Sequence, residues 1–179
     1  TILIESLNSS TDGDTTAERY VINGQSDYKF SKRNYFFVMV NYENARFSGY
    51  DYRVSEAVGY GRRVIDKTAL NLSLEIGPGA RQSKLDKPNE DGDKTENVVT
   101  LRGAAKLAWK VSDTSTFTTD LSVDAGEDTT VTKSVTALTA QVNSSLATKI
   151  TYTITNTSDV PVDVEKTDTE TAVTLVYAF

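Results

Sequence analysis

The residues best placed to do chemistry are charged side chains recurring at alternate positions of strand-like segments. Arg19, Asp27, Arg53, Glu75, Arg81, Arg102, Lys106, Asp120, Asp124, Lys149, Asp168 and Glu170 all fall on the polar side of such alternations. Asp120 and Asp124 could act as an acid–base pair, as two carboxylates do in glycoside hydrolysis. Two carboxylates four apart on one strand face are equally what any polar-lined interior would carry. The chain has no His and no Cys, which removes Ser-His-Asp chemistry, imidazole and thiolate metal ligands and disulfides. A nucleophile would then need Lys, Asp or Glu as its base, and no Ser-x-x-Lys falls where a rim would expose it. The acidic stretch 86–95 imitates a calcium loop around Asp91-Gly92, but Val98 stands where the last ligand belongs. At most, that stretch could make weak divalent-ion contacts. Gly-Pro-Gly at 77–79 is not followed by Gly-Lys-Ser/Thr and reads as a bend or bulge in a strand, not a phosphate loop. We expect no catalytic residue, no cofactor and no metal: a non-enzyme.

The segments that must position these charges are strands. The composition suits them, with 25 Thr, nine Tyr and three Pro. The cleanest alternation sets Leu70, Leu72, Leu74, Ile76 and Ala80 against Asn71, Ser73, Glu75, Gly77, Gly79 and Arg81. Similar patterns predict strands at about 1–9, 16–30, 35–47, 50–65, 97–111, 117–125, 130–142, 146–156 and 165–179. That makes about ten strands in one domain, 1–179, with no helical period between them. Connections at 31–34, 66–67, 112–115 and 143–145 are short; those at 10–14, 86–95 and 157–164 read as longer and more acidic. This turn-and-loop asymmetry, alternating along the chain, is that of a transmembrane β-barrel. Tyr28, Phe30, Tyr35, Trp109, Phe117, Tyr177 and Phe179 gather near the short turns, and Tyr20, Tyr42, Phe47, Tyr50 and Tyr52 toward the loops. Two such bands suit amphipathic rings at two membrane–water interfaces.

The final stretch carries Thr171, Val173, Leu175, Tyr177 and Phe179 at alternate positions. It resembles the closing strand of bacterial outer-membrane barrels, in which a terminal Phe preceded by alternating apolar residues is the insertion signal. That reading makes Tyr177 and Phe179 the signal for the barrel-assembly machinery. In such a barrel the apolar face meets lipid and lipopolysaccharide, and the charges line the lumen. The lumen-facing candidates are Arg53, Glu75, Arg81, Arg102, Lys106, Asp120, Asp124, Lys149 and Glu170. They form either a selective polar conduit or a salt-bridged filling of a small barrel. The formal charge of −6 argues against nucleic acid as a partner. A monomer is expected. The chain begins at Thr1 already in strand pattern and reads as processed or N-terminally incomplete. The rival readings are a soluble lipocalin-like barrel binding a small apolar ligand, with Leu72 and Leu74 pointing inward, and an outer-membrane enzyme.

Several stretches also resemble one bacterial family of unknown function. They are Arg-Phe-Ser-Gly-Tyr-Asp-Tyr-Arg at 46–53, Gly-Tyr-Gly at 59–61, Glu-Ile-Gly-Pro-Gly at 75–79, Asp-Leu-Ser-Val at 120–123 with Ala-Gly-Glu at 125–127, Thr-Ala-Leu-Thr-Ala at 136–140, and Ser-Asp-Val-Pro at 158–161 followed by Glu-Lys-Thr-Asp-Thr-Glu at 165–170. The family is YdiY-like and is described as salt-induced outer-membrane proteins. The resemblance implies an outer-membrane barrel without an established activity, a link to salt or osmotic stress, and about one further N-terminal hairpin, hence about twelve strands.

Overall fold

Alternating apolar and polar residues, punctuated by Ser, Asn and Gly, leave the backbone no helical stripe to bury, so each segment extends and pairs with the next. The computed structural model describes residues 2–11, 14–46, 50–85, 94–127, 129–143, 145–160 and 165–177, with side chains described from Tyr20 onward except at 45–50. Among these residues there are ten strands: β1 (Ile2–Thr11), β2 (Asp14–Lys29), β3 (Asn34–Arg46), β4 (Tyr50–Asp66), β5 (Leu70–Leu85), β6 (Thr95–Lys110), β7 (Ser115–Ala125), β8 (Thr130–Gln141), β9 (Leu146–Thr157) and β10 (Thr167–Tyr177). They form one antiparallel up-and-down sheet in sequence order, β1 to β10. No pairing joins β1 to β10 among the described residues, so the sheet curls without a closing seam.

The short turns at one end carry the residues their geometry asks for. Ser31 Oγ accepts from the backbone N–H groups of Arg33 (3.3 Å) and Asn34 (2.9 Å). Asn143 Oδ1 does the same for Ser145 and Leu146, both at 2.9 Å. These side chains stand in for backbone acceptors, which is why Ser and Asn are favoured there. Lys67 and Leu70 exchange backbone bonds of 3.0 and 3.2 Å across a two-residue connection. At the opposite end the pairing Thr11↔Asp14 brings β1 and β2 within two residues of one another. The long loop expected at 10–14 is therefore a strand extension, with its register shift between Ser9 and Ser10.

Gly-Pro-Gly at 77–79 makes no bulge. Its ladder to β6 runs on through Gly77↔Arg102, Pro78↔Leu101 and Gly79↔Thr100. Pairing to β4 skips from Ala57↔Gly79 to Tyr60↔Ile76, because Pro78 has no N–H to give. The register shifts of β4–β5 lie near the strand ends instead, at Tyr50/Tyr52 and Arg63/Ile65.

The two faces of the sheet differ: the inner one mixes apolar and charged residues, and the outer one is largely apolar. Inside the curl lie the buried residues Val21, Tyr35, Phe37, Met39, Ala57, Glu75, Arg81, Ser83, Thr100 and Ala137. Outside, exposed, lie Ile22, Phe36, Val38, Val40, Val58, Leu74, Ile76, Leu101, Leu121, Leu138, Ile150, Val173 and Leu175. Leu70, Leu72 and Leu107 share that outer face by register. Leu72 and Leu74 thus point away from the interior, contrary to what a lipocalin-like binder requires. No second sheet packs on the outer face among the described residues.

The aromatic bands need one correction. Phe30, Phe36 and Tyr60 cluster on the outside near the 30–33 turn, with Phe30 and Phe36 centroids 4.9 Å apart. Tyr42 stacks on Tyr52 toward the other end at 6.2 Å. Tyr35, expected in the outer band, faces inward and is only 5% exposed. It is drawn in because β4 places Gly61 opposite it. Phe47 and Phe179 lie outside the described residues.

Candidate functional site

The interior is built by strands that are far apart in the sheet. Neighbouring strands stand about 4.8 Å apart, so in a flat sheet β2 and β6 would be about 19 Å from one another. Here Lys106 Nζ of β6 donates to Gln25 Oε1 of β2 at 2.7 Å. Only a strong curl allows that.

The same ammonium reaches Glu75 Oε1 of β5 at 2.8 Å. Gln25 Nε2 donates to Glu75 Oε1 at 3.0 Å, and the Tyr35 hydroxyl of β3 donates to it at 2.8 Å. Glu75 is therefore a buried carboxylate held by one cation and two neutral donors, which is how buried charge is made tolerable. The Tyr35 hydroxyl crosses β4 to get there. A Cβ on Gly61 would overlap the Tyr35 ring, and one on Gly59 would meet Phe37 Cε1 at 2.7 Å. Tyr35, Phe37 and Met39 pair with Gly61, Gly59 and Ala57, so large inward residues of β3 lie over small ones of β4.

On the loop side of this network lies a cavity of about 120 Å³, lined by residues from β2 round to β9. Arg53, Arg81 and Arg102 all line it, with Glu43, Asp124 and Lys133. Arg102 Nη1 meets Asp124 Oδ2 at 2.7 Å across the β6–β7 pairing. Arg81 Nη2 donates to the Thr129 carbonyl at 3.2 Å, spanning from β5 to the β7–β8 connection. Arg53 stands opposite Glu43 in the β3–β4 register. Toward the short turns a wider opening of about 470 Å³ is lined by Arg63, Asn71, Lys106 and Asp120, among others.

Seven of the nine interior candidates thus meet around this axis: Arg53, Arg81, Arg102 and Asp124 at the cavity, Glu75 and Lys106 in the network, and Asp120 beside Lys106. Lys149 and Glu170 also have inward register, opposite Thr139 and Thr153, but belong to the β9–β10 side and line neither space. Tyr177 ends β10 exposed on the outer face; Phe179 lies outside the described residues. Sequence reasoning missed Tyr35 as an interior residue. The signal was present in the alternate small residues Ala57, Gly59 and Gly61, which leave room for large partners on the strand before.

No three carboxylates converge to hold a metal ion among the described residues. Asp120 and Asp124 are separated by Ser122 on one strand face and engage different neighbours, Lys106 by register and Arg102 by ion pair. The acidic loop lies, at 86–93, outside the described residues.

The fold and its interior define an antiparallel up-and-down β-sheet curled around a mixed interior, an apolar cluster of Tyr35, Phe37, Met39 and Ala57 beside paired charges, with a broad apolar surface outward. The chain belongs to a family described as a protein of unknown function, DUF481, whose model matches residues 1–179. It is similar to the uncharacterized protein YdiY of Escherichia coli (strain K12), at 30% identity over 136 residues covering 76% of this chain and 52% of that protein. The chain thus spans about half the length of the curated relative it matches. No solved structure matches it.

Proposed function

We propose that this chain is a membrane-spanning barrel of the bacterial outer membrane, non-enzymatic, whose narrow polar lumen passes at most small ions. One observation carries the reading: the outer face of the sheet is a broad exposed apolar surface, while the charged side chains gather inside. An exposed Leu, Ile, Val or Phe forgoes roughly 1.5–3 kcal/mol of burial, and soluble monomers do not leave a whole sheet face so exposed. In lipid the same face is the favourable one. On β5 the outward run from Leu70 to Pro78 carries no charge. At about 3.4 Å per residue and a tilt near 40°, it spans about 21 Å, most of the ~25 Å height of a barrel's apolar band. Glu56, Gln82 and Asn97 mark its upper edge, and Lys84 pairs with Asp51 at 3.1 Å beyond it.

Closure requires β1 and β10 to meet directly or through further strands, about twelve in all. Outer-membrane lipid, lipopolysaccharide and the barrel-assembly machinery are the partners this reading calls for, with the barrel itself monomeric. The Lys106–Glu75–Tyr35–Gln25 network crosses the interior, which favours a constricted lumen over an open pore. Salt or osmotic stress, the condition implied by the resemblance drawn from the sequence, is where such a barrel would serve envelope integrity. Fractionation with and without detergent tests the location: the proposal expects the protein in outer-membrane fractions, and recovery in the soluble fraction overturns it.

A further inference from the structure

We infer that the place filled by the Lys106 ammonium is an exchangeable site for a small monovalent cation, sodium or potassium, which enters as Lys106 swings to Asp120. The inference rests on the reading of the interior as a lumen and deepens it by naming the ion and where it stops. Lys106 Nζ sits among oxygens, with Glu75 Oε1 at 2.8 Å and Gln25 Oε1 at 2.7 Å. The Tyr35 hydroxyl meets the same carboxylate oxygen at 2.8 Å. Glu75 Oε2 is buried with no hydrogen-bond partner among the described residues, so the carboxylate has capacity that the ammonium leaves unused. Oxygens gathered around an ammonium can equally replace the hydration shell of an alkali-metal ion.

Lys106 has a second anion to go to. Asp120 stands directly opposite it in the β6–β7 register. Side chains so opposed have Cβ atoms about 4.5–5.5 Å apart, within reach of a lysine by a change of rotamer alone. Asp120 makes no hydrogen bond or ion pair among the described residues. The opening of about 470 Å³ that both residues line leaves room for the swing. Glu75 and Asp120 thus share one ammonium. Of the neighbouring charges, Arg63 is paired with Asp66 at 3.5 Å. Lys149, which acts on Asp120, and Asp27, which acts on Tyr35, offset one another in the count. Among the described residues the group is therefore one positive charge short. A cation on Glu75, with Lys106 moved to Asp120, leaves both carboxylates matched.

Thermal unfolding of the full-length protein in detergent micelles, in potassium chloride against choline chloride at equal ionic strength, tests this. Choline is too large for the site, so the expected result is a midpoint that rises saturably with potassium alone. Asp120→Asn removes the lysine's second partner and should abolish the rise. Lys106→Met empties the site and should lower the half-saturating potassium concentration by about tenfold or more. Glu75→Gln should abolish the effect too; where it fails to fold, the other two variants serve. Asp113→Asn, on an exposed turn, is the control and should respond as the parent does. Equal midpoints in the two salts, or the same potassium dependence in every variant, overturn the site and leave the barrel reading standing. A protein that stays in water without detergent yet shows this variant pattern keeps the site and overturns the barrel.

Discussion

Tyr35 lies across Gly61, the residue opposite it on β4, and so reaches Glu75 one strand further on. The contact joins three strands through one ring, and it exists only because position 61 has no Cβ. Gly61→Val should therefore overpack the interior and cost about 1–3 kcal/mol or prevent folding. Gly24, where a Cβ would meet nothing within 4 Å, is the control, and Gly24→Ala should be nearly silent. Unfolding in urea from lipid or detergent reads both.

Removing the hydroxyl alone tests the hydrogen bond. Tyr35→Phe keeps the ring over Gly61 and deletes one donor to a buried carboxylate. A loss of about 1.5–3 kcal/mol is expected, as for hydrogen bonds to charged groups. No change would mean that the hydroxyl contributes nothing to holding Glu75.

Lys106 and Glu75 should be coupled. Lys106→Met leaves a carboxylate with 1% side-chain exposure to two neutral donors, at a cost of about 3 kcal/mol. The double variant Lys106→Met, Glu75→Gln should recover most of that loss. Additive losses in the cycle would show that the two act independently.

Much of this fold could be read from alternation. The leucines of β5 and the Ser and Asn residues of the short turns mark strand and connection closely, because a half-buried strand must alternate and a tight turn must satisfy its own backbone. Arg53, Arg81, Arg102 and Asp124 were legible as one face for the same reason. Their convergence on one cavity was not, since alternation names the face and says nothing of curvature. Tyr35 was misplaced because an aromatic beside a turn looks interfacial until the glycines opposite it are counted. The 10–14 connection was misjudged because Ser, Thr, Asp and Gly suit a strand end as readily as a loop.

The outer and inner faces should answer differently to charge. Leu74→Arg puts a guanidinium in the middle of the apolar band and should cost about 2–4 kcal/mol of membrane stability. Its neighbour Ser73 faces the interior, and Ser73→Arg should cost less. Equal effects on folding into vesicles would contradict the assignment of faces.

If the lumen conducts, its selectivity should follow the cavity charges. Arg102→Glu changes the cavity lining by two charge units and should shift current in planar bilayers toward cations. A conductance indifferent to that change would place the ion path elsewhere. Absence of conductance in both proteins would identify a plugged structural barrel.

The absence of Cys makes the central claim directly measurable. Single cysteines placed in turn along β5 from Leu70 to Gln82, each carrying a fluorophore, can be read in vesicles against a quencher confined to the lipid. The account predicts strong quenching at the even positions, 70 to 78, and little at the odd positions, 71 to 79. Uniform quenching, or none at either set, would contradict a lipid-facing sheet.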